Sequence, residues 1–89
     1  MLEVTKGAKD LLRDILLRET DDPESGLRLV MDESGRLGLV LGKEEPGDQV
    51  VEHEGVKALL AASKLAPMVG GITLDVQDSA EGPKLVVKP

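Results

Sequence analysis

The chain has 89 residues, 40% of them hydrophobic, with no Cys, Phe, Trp or Tyr and a single His. The missing thiols exclude a disulfide framework, a thiolate nucleophile and any cysteine-held zinc or iron-sulfur site built from these residues alone, while the missing rings exclude a base-stacking platform or an aromatic cage. A net charge of -6 repels a phosphate backbone, and the longest apolar run, Ala58 to Ala62, is far short of the roughly 20 residues of a membrane span, so neither nucleic acid nor a membrane is an expected partner.

Leu2 and Val4 alternate around Glu3 as a short first strand, and Thr5 stands where a helix N-cap belongs. Ala8, Leu11, Leu12, Ile15 and Leu16 then recur at the helical period, predicting an amphipathic helix over Lys6 to Glu19 with an Asp14–Arg18 pair on its polar side. The stripe reads as a core face rather than a groove for a partner, because a domain this small needs that helix for its own interior. Thr20 to Gly26 is a polar loop.

Leu27 to Asp32 and Arg36 to Lys43 read as a hairpin joined through Glu33-Ser34-Gly35. A two-residue loop would set Asp32 against Leu37, whereas a three-residue loop pairs Met31 with Leu37, Leu29 with Leu39 and Leu27 with Leu41 on one apolar face. The longer loop is therefore expected, with Gly35 in the left-handed position. Glu44 to Asp48 is a turn-rich connection. Gln49 to His53 and Val56 to Leu60 flank Glu54-Gly55 as a second hairpin, with Glu52 opposite Lys57 and Val50 opposite Leu59. Ala61 to Met68 reads as a short helical segment capped by Ser63 and limited by Pro67, and Gly70-Gly71 stops it. Ile72 to Gln77 is a strand, Asp78 to Pro83 a loop and Lys84 to Val87 the last strand.

Few residues suggest chemistry. His53 lies in Glu52-His53-Glu54, but on a strand Glu52 points away from His53, so a solvated or weakly paired imidazole is expected rather than a metal site. The acidic stretches Asp21 to Glu24 and Glu44 to Asp48 lack the alternating ligands and closing Glu of a calcium loop. Gly35, Gly38 and Gly42 fit neither the dinucleotide fingerprint nor the P-loop, and no serine sits in a nucleophile elbow. No catalytic residue, cofactor or metal is expected, and an enzyme is not.

The order of these elements, carried by Gly26-Leu27-Arg28-Leu29, Gly47-Asp48-Gln49-Val50-Val51, His53-Glu54-Gly55-Val56-Lys57, Ser63 to Gly71, Ile72-Thr73-Leu74-Asp75 and Gly82 to Pro89, resembles the A-type iron-sulfur carrier family, also called HesB/IscA-like. The resemblance implies a single α+β, mostly β domain over residues 1–89, with compact sandwich or barrel-like sheets, one N-terminal helix and one short late helix. It also implies an oligomer-forming protein that passes iron or a cluster to other proteins through three cysteines, one in the first hairpin turn and two after the last strand, while the short apolar runs and the N-terminal Met1-Leu2-Glu3-Val4, which has no signal pattern, lead to the expectation of a cytoplasmic protein. Here the turn is Asp32-Glu33-Ser34-Gly35, so Glu33 stands where the first cysteine would be, and Pro89 falls about where the other two would begin. The expectation is a cysteine-less member that binds no cluster itself and meets a protein partner of unknown identity. The alternative is a carrier that uses non-cysteine or partner-supplied ligands, with Glu33 and His53 as the candidates.

Overall fold

In the computed structural model, which describes residues 2–88, Thr5 caps the first helix as its side chain predicts, its Oγ1 accepting from the Ala8 N–H at 3.2 Å. The strand before it, β1 (Glu3–Val4), leads into α1 (Lys6–Glu19), which buries Ala8, Leu12 and Leu16 and leaves Leu11 and Ile15 half-buried at the edge of the stripe. The expected Asp14–Arg18 pair is not made among the described residues. The i,i+4 ion pair of α1 is instead Lys6–Asp10, at 3.3 Å, about two turns nearer the N-terminus.

The first hairpin, β2 (Ser25–Met31) with β3 (Leu37–Lys43), has the register that its apolar alternation dictates: Leu27 faces Leu41, Leu29 faces Leu39 and Met31 faces Leu37. The Asp32 N–H donates to the Arg36 carbonyl at 2.9 Å, which closes the three-residue loop, and Gly35 takes φ +87°. In the second hairpin, β4 (Gln49–His53) with β5 (Val56–Ala61), Glu54 and Gly55 both have positive φ, 50° and 85°, the signature of a type I′ turn. Glu52 faces Lys57 as expected, but Val50 faces Leu60 and it is Val51 that faces Leu59. The register shifts between Val51 and Glu52, because a bulge adds one residue to β5 beyond the point where the turn controls the pairing.

The late segments depart further from expectation. Ser63 does not cap a helix: it begins a 3-10 turn, Ser63–Leu65, which has no side-chain cap. Pro67 does not limit α2 (Ala66–Val69) but sits in its first turn, where its missing N–H breaks no helical bond. Asp78 to Pro83 is not a loop. β6 (Thr73–Ser79) and β7 (Gly82–Lys88) stay paired through Asp78–Pro83 and Ser79–Gly82, so Ala80 and Glu81 alone make the turn. Ser79 Oγ donates to the Gly82 carbonyl at 2.6 Å, and Pro83 is tolerated because β7 is an edge strand.

Two sheets result, one in the order β1-β6-β7 and one in the order β3-β2-β5-β4. In the second sheet the two hairpins are joined by parallel pairing of β2 with β5, through Gly26–Lys57 and Leu29–Ala61. A Cβ on Gly26 would lie 2.6 Å from the Lys57 carbonyl oxygen, so this approach requires glycine. The segment between β3 and β4 crosses from one edge of that sheet to the other, and Arg28 holds it with hydrogen bonds to Asp48 Oδ2 (2.5 Å) and the Lys43 carbonyl (2.6 Å). α1 lies against both sheets, and its Ala8, Leu12 and Leu16 pack with Leu27, Leu29, Ala58, Leu59 and Leu74 in one core.

Asp75 ties the helix start to the smaller sheet. Its carboxylate accepts from Thr5 Oγ1 at 2.8 Å, from the Val76 N–H at 2.8 Å and from Lys88 Nζ at 2.9 Å. The Lys88 hydrogen bond, followed by those from Val76 and Thr5, lowers its pKa from 3.8 to about 2.

Leu12 and Leu29 are both buried, so Leu12→Ala or Leu29→Ala is expected to destabilise the fold by about 2 to 4 kcal/mol in urea unfolding. Unchanged midpoints would refute this core. Because the folded-state pKa of Asp75 is depressed, its contribution is present above about pH 4 and disappears as pH falls toward 2. The stability gap between wild type and Asp75→Asn should therefore be widest at neutral pH and close across that window in thermal melts.

Candidate functional site

The hairpin tip that the sequence singles out is built around Asp32 rather than Glu33. Asp32 Oδ1 accepts from the Ser34 N–H (2.9 Å), Ser34 Oγ (2.7 Å) and the Arg36 N–H (2.9 Å), and these donors, the Ser34 hydroxyl first, hold its pKa below the ordinary value. Glu33 projects from the tip, exposed, with no hydrogen bond or ion pair to the described residues. It is a single carboxylate on a tightly folded turn.

His53 is elsewhere. Because β2 and β5 run parallel, the turn after β2 lies at the end of the sheet where β5 finishes, and the Glu54-Gly55 turn lies where β5 begins. Six residues of strand, about 20 Å, separate the two ends. The fold therefore does not bring Glu33 and His53 together within one chain.

What the fold does bring to His53 comes from the helix. His53 Nε2 lies 2.5 Å from Asp10 Oδ1 and 3.8 Å from Glu54 Oε2, and its side chain is only 14% exposed, so the imidazole is paired and largely shielded rather than solvated. The same Asp10 carboxylate meets Lys6 Nζ through Oδ2, and the His53 hydrogen bond is the main cause that lowers the Asp10 pKa. At so short a contact the proton lies on Nε2, which donates to the carboxylate. Arg13, one turn along α1, sets its Nε 3.6 Å from Glu54 Oε2; that Nε is buried with no hydrogen-bond acceptor. Asp10, His53 and Glu54 thus place three ligand-type atoms within 4.8 Å of one another. Sequence reasoning missed Asp10 and Arg13, since both read as ordinary polar-face residues and nothing in their spacing points to a strand 40 residues away.

A third feature is apolar. An open groove of about 270 Å³ runs between the sheets, lined by Leu29, Leu37, Leu39, Leu74, Leu85 and Val87, and flanked by the free edges β3 and β7. Val40, Leu41 and Val87 are among the exposed large hydrophobic side chains. No helix among the described residues is long and apolar enough to cross a membrane.

The two-sheet architecture with its early helix has counterparts among known proteins. The chain is 36% identical over 87 residues to an uncharacterized protein in the nifU 5′ region of Azotobacter vinelandii, covering 92% of this chain and 79% of that one. It is 31% identical over 78 residues to the iron-sulfur cluster insertion protein ErpA of Marinobacter nauticus, covering 82% and 70%. Among solved structures it superposes on Escherichia coli SufA, involved in biosynthesis of iron-sulfur clusters, with a TM-score of 0.70 at 22% identity over 98% of this chain and 83% of that one. It superposes on IscA with the 2Fe-2S cluster with a TM-score of 0.66 at 17% identity over 99% and 84%. No protein-family model matches the chain. The chain belongs to the A-type iron-sulfur carrier, or HesB/IscA-like, family.

The donor atoms present do not fit an iron-sulfur cluster as cargo. Such clusters are held by thiolates, and the 89 residues contain none. The groups flanking Glu33 at the tip, the Asp32 carboxylate and the Ser34 hydroxyl, are oxygen donors and supply no thiolate.

The geometry around His53 has a direct readout. The Asp10 carboxyl should titrate below the ordinary 3.8 in a carbon-detected NMR titration, and His53→Gln should move it back up. An identical midpoint in both proteins would show that the pair does not form.

Proposed function

We propose that this chain is a carrier-family scaffold that holds no cluster through its own side chains and acts as a protein-interaction or accessory domain. The observation that carries this reading is the donor set: the fold is that of the carriers, yet the tip where the resemblance places a cysteine presents Glu33, and no thiol occurs among the 89 residues. A carboxylate supplies neither the softness nor the multiplicity of charge that cluster sulfides and irons require. Surface features support an interaction role. The groove between the sheets and the exposed Val40, Leu41 and Val87 offer apolar area, and the net charge of -6 favours partners with basic surfaces. In this reading residues 1–89 work as one non-enzymatic domain in the cytoplasm, alone or as a homo-oligomer, with a protein and not nucleic acid as partner.

A second reading is supported by the isolation of Glu33. A carboxylate without intramolecular partners is free to meet a ligand on another subunit, a partner protein or glutathione, which would keep a carrier role. Anaerobic reconstitution with ferrous iron and sulfide, with and without glutathione, separates the two. The expected result is no stoichiometric cluster absorption in the visible spectrum under either condition. A stoichiometric band that disappears in Glu33→Ala would establish the second reading and overturn the first.

A further inference from the structure

We infer that Asp10, His53 and Glu54 form a binding site for one divalent first-row transition ion of the zinc type, independent of the hairpin tip and of any iron-sulfur cargo. The site is assembled from α1, the end of β4 and the turn after it, and its three ligand-type atoms already lie within 4.8 Å of one another. One imidazole nitrogen and two carboxylate oxygens are the donors that suit zinc and its neighbours. The nitrogen makes magnesium and calcium poor occupants, and the absence of sulfur makes copper(I) a poor one. Three protein ligands leave a fourth position for water, and two carboxylates neutralise the ion's charge.

The distances are those of a site closed by a proton. Tetrahedral zinc with bonds of about 2.0 to 2.1 Å separates its ligands by about 3.3 Å. Asp10 Oδ1 is now 2.5 Å from His53 Nε2, bridged by the Nε2 proton, and Glu54 Oε2 is 3.8 Å from the same nitrogen. Relative to His53 Nε2, loading needs Asp10 to withdraw by about 0.8 Å and Glu54 to approach by about 0.5 Å, and both can move, since their side chains are 47% and 62% exposed. His53, shielded and fixed on its strand, stays in place. As the metal-nitrogen bond forms, the ion takes the place of the Nε2 proton, which moves to Nδ1 so that the ring ligates as a neutral imidazole. Two cations oppose loading, Lys6 beside Asp10 and Arg13 beside Glu54. Arg13 does so without a hydrogen bond from its buried Nε, so it acts on the site through charge alone.

The only His in the sequence makes the test clean, because imidazole resonances in a nitrogen-proton spectrum come from His53 alone. Titration of the full chain with zinc chloride is expected to shift those resonances and to show one saturable site by calorimetry, unaffected by millimolar magnesium. His53→Ala and Asp10→Asn should each weaken binding by about tenfold or more, and Arg13→Gln should tighten it several-fold by removing the opposing charge. Circular dichroism confirms that each variant is folded. No saturable uptake by the wild type, or uptake unchanged in both His53→Ala and Arg13→Gln, would show that zinc meets only the general acidic surface and would overturn the inference. The readout requires neither sulfide nor iron, so its failure is distinct from any result of cluster reconstitution.

Discussion

The parallel pairing of β2 with β5 is the constraint on which the rest of the structure depends. Each hairpin alone is a local object with two unpaired edges, and a two-stranded ribbon is at best marginally stable in water. Joining their inner strands makes a four-stranded sheet with one continuous apolar face, on which α1 lays Ala8, Leu12 and Leu16. The join is close enough that only a glycine at position 26 leaves room for the Lys57 carbonyl. Its direction has a functional consequence, because parallel inner strands send the two hairpin turns to opposite ends of the sheet. The tip with Glu33 and the turn with Glu54 thereby become separate places with separate chemistry.

Composition shapes the interior as much as topology does. With no aromatic ring available, the core is made of Leu, Val and Ala, and close packing must come from many small interlocking side chains rather than a few large ones. Polar groups then secure what packing leaves open. Arg28 holds the β3–β4 crossing segment through Asp48, and Asp75 joins the Thr5 cap, the Val76 N–H and Lys88 at one carboxylate. Both arrangements link segments far apart in sequence, and both lower the pKa of the carboxylate that receives the bonds.

Family membership and the chemistry of the donors pull in different directions, and the donors bear more directly on what these residues can bind. A carrier fold positions a hairpin tip; it does not supply the thiolates that make the tip useful. At this tip Asp32 accepts three turn hydrogen bonds through Oδ1, while Glu33 makes none to the described residues. The richer set of ligand-type groups has formed at the other end of the sheet, where a helix carboxylate meets the single imidazole.

Sequence by itself determined α1 and its Thr5 cap, the three-residue loop and register of the first hairpin, the turn of the second and the absence of thiolate chemistry. These follow from neighbours within a few residues, where periodicity, capping and turn chemistry act directly. Local signals misplaced what neighbours do not control: the register beyond the β5 bulge, the role of Ser63 and the extension of β6 and β7 to within two residues of each other. Only the tertiary structure decided that β2 and β5 run parallel, that Glu33 and His53 are therefore far apart, and that Asp10 and Arg13 reach the turn after His53. The reason is that a helix docks by its apolar stripe, and where its polar face then points depends on the sheet beneath it.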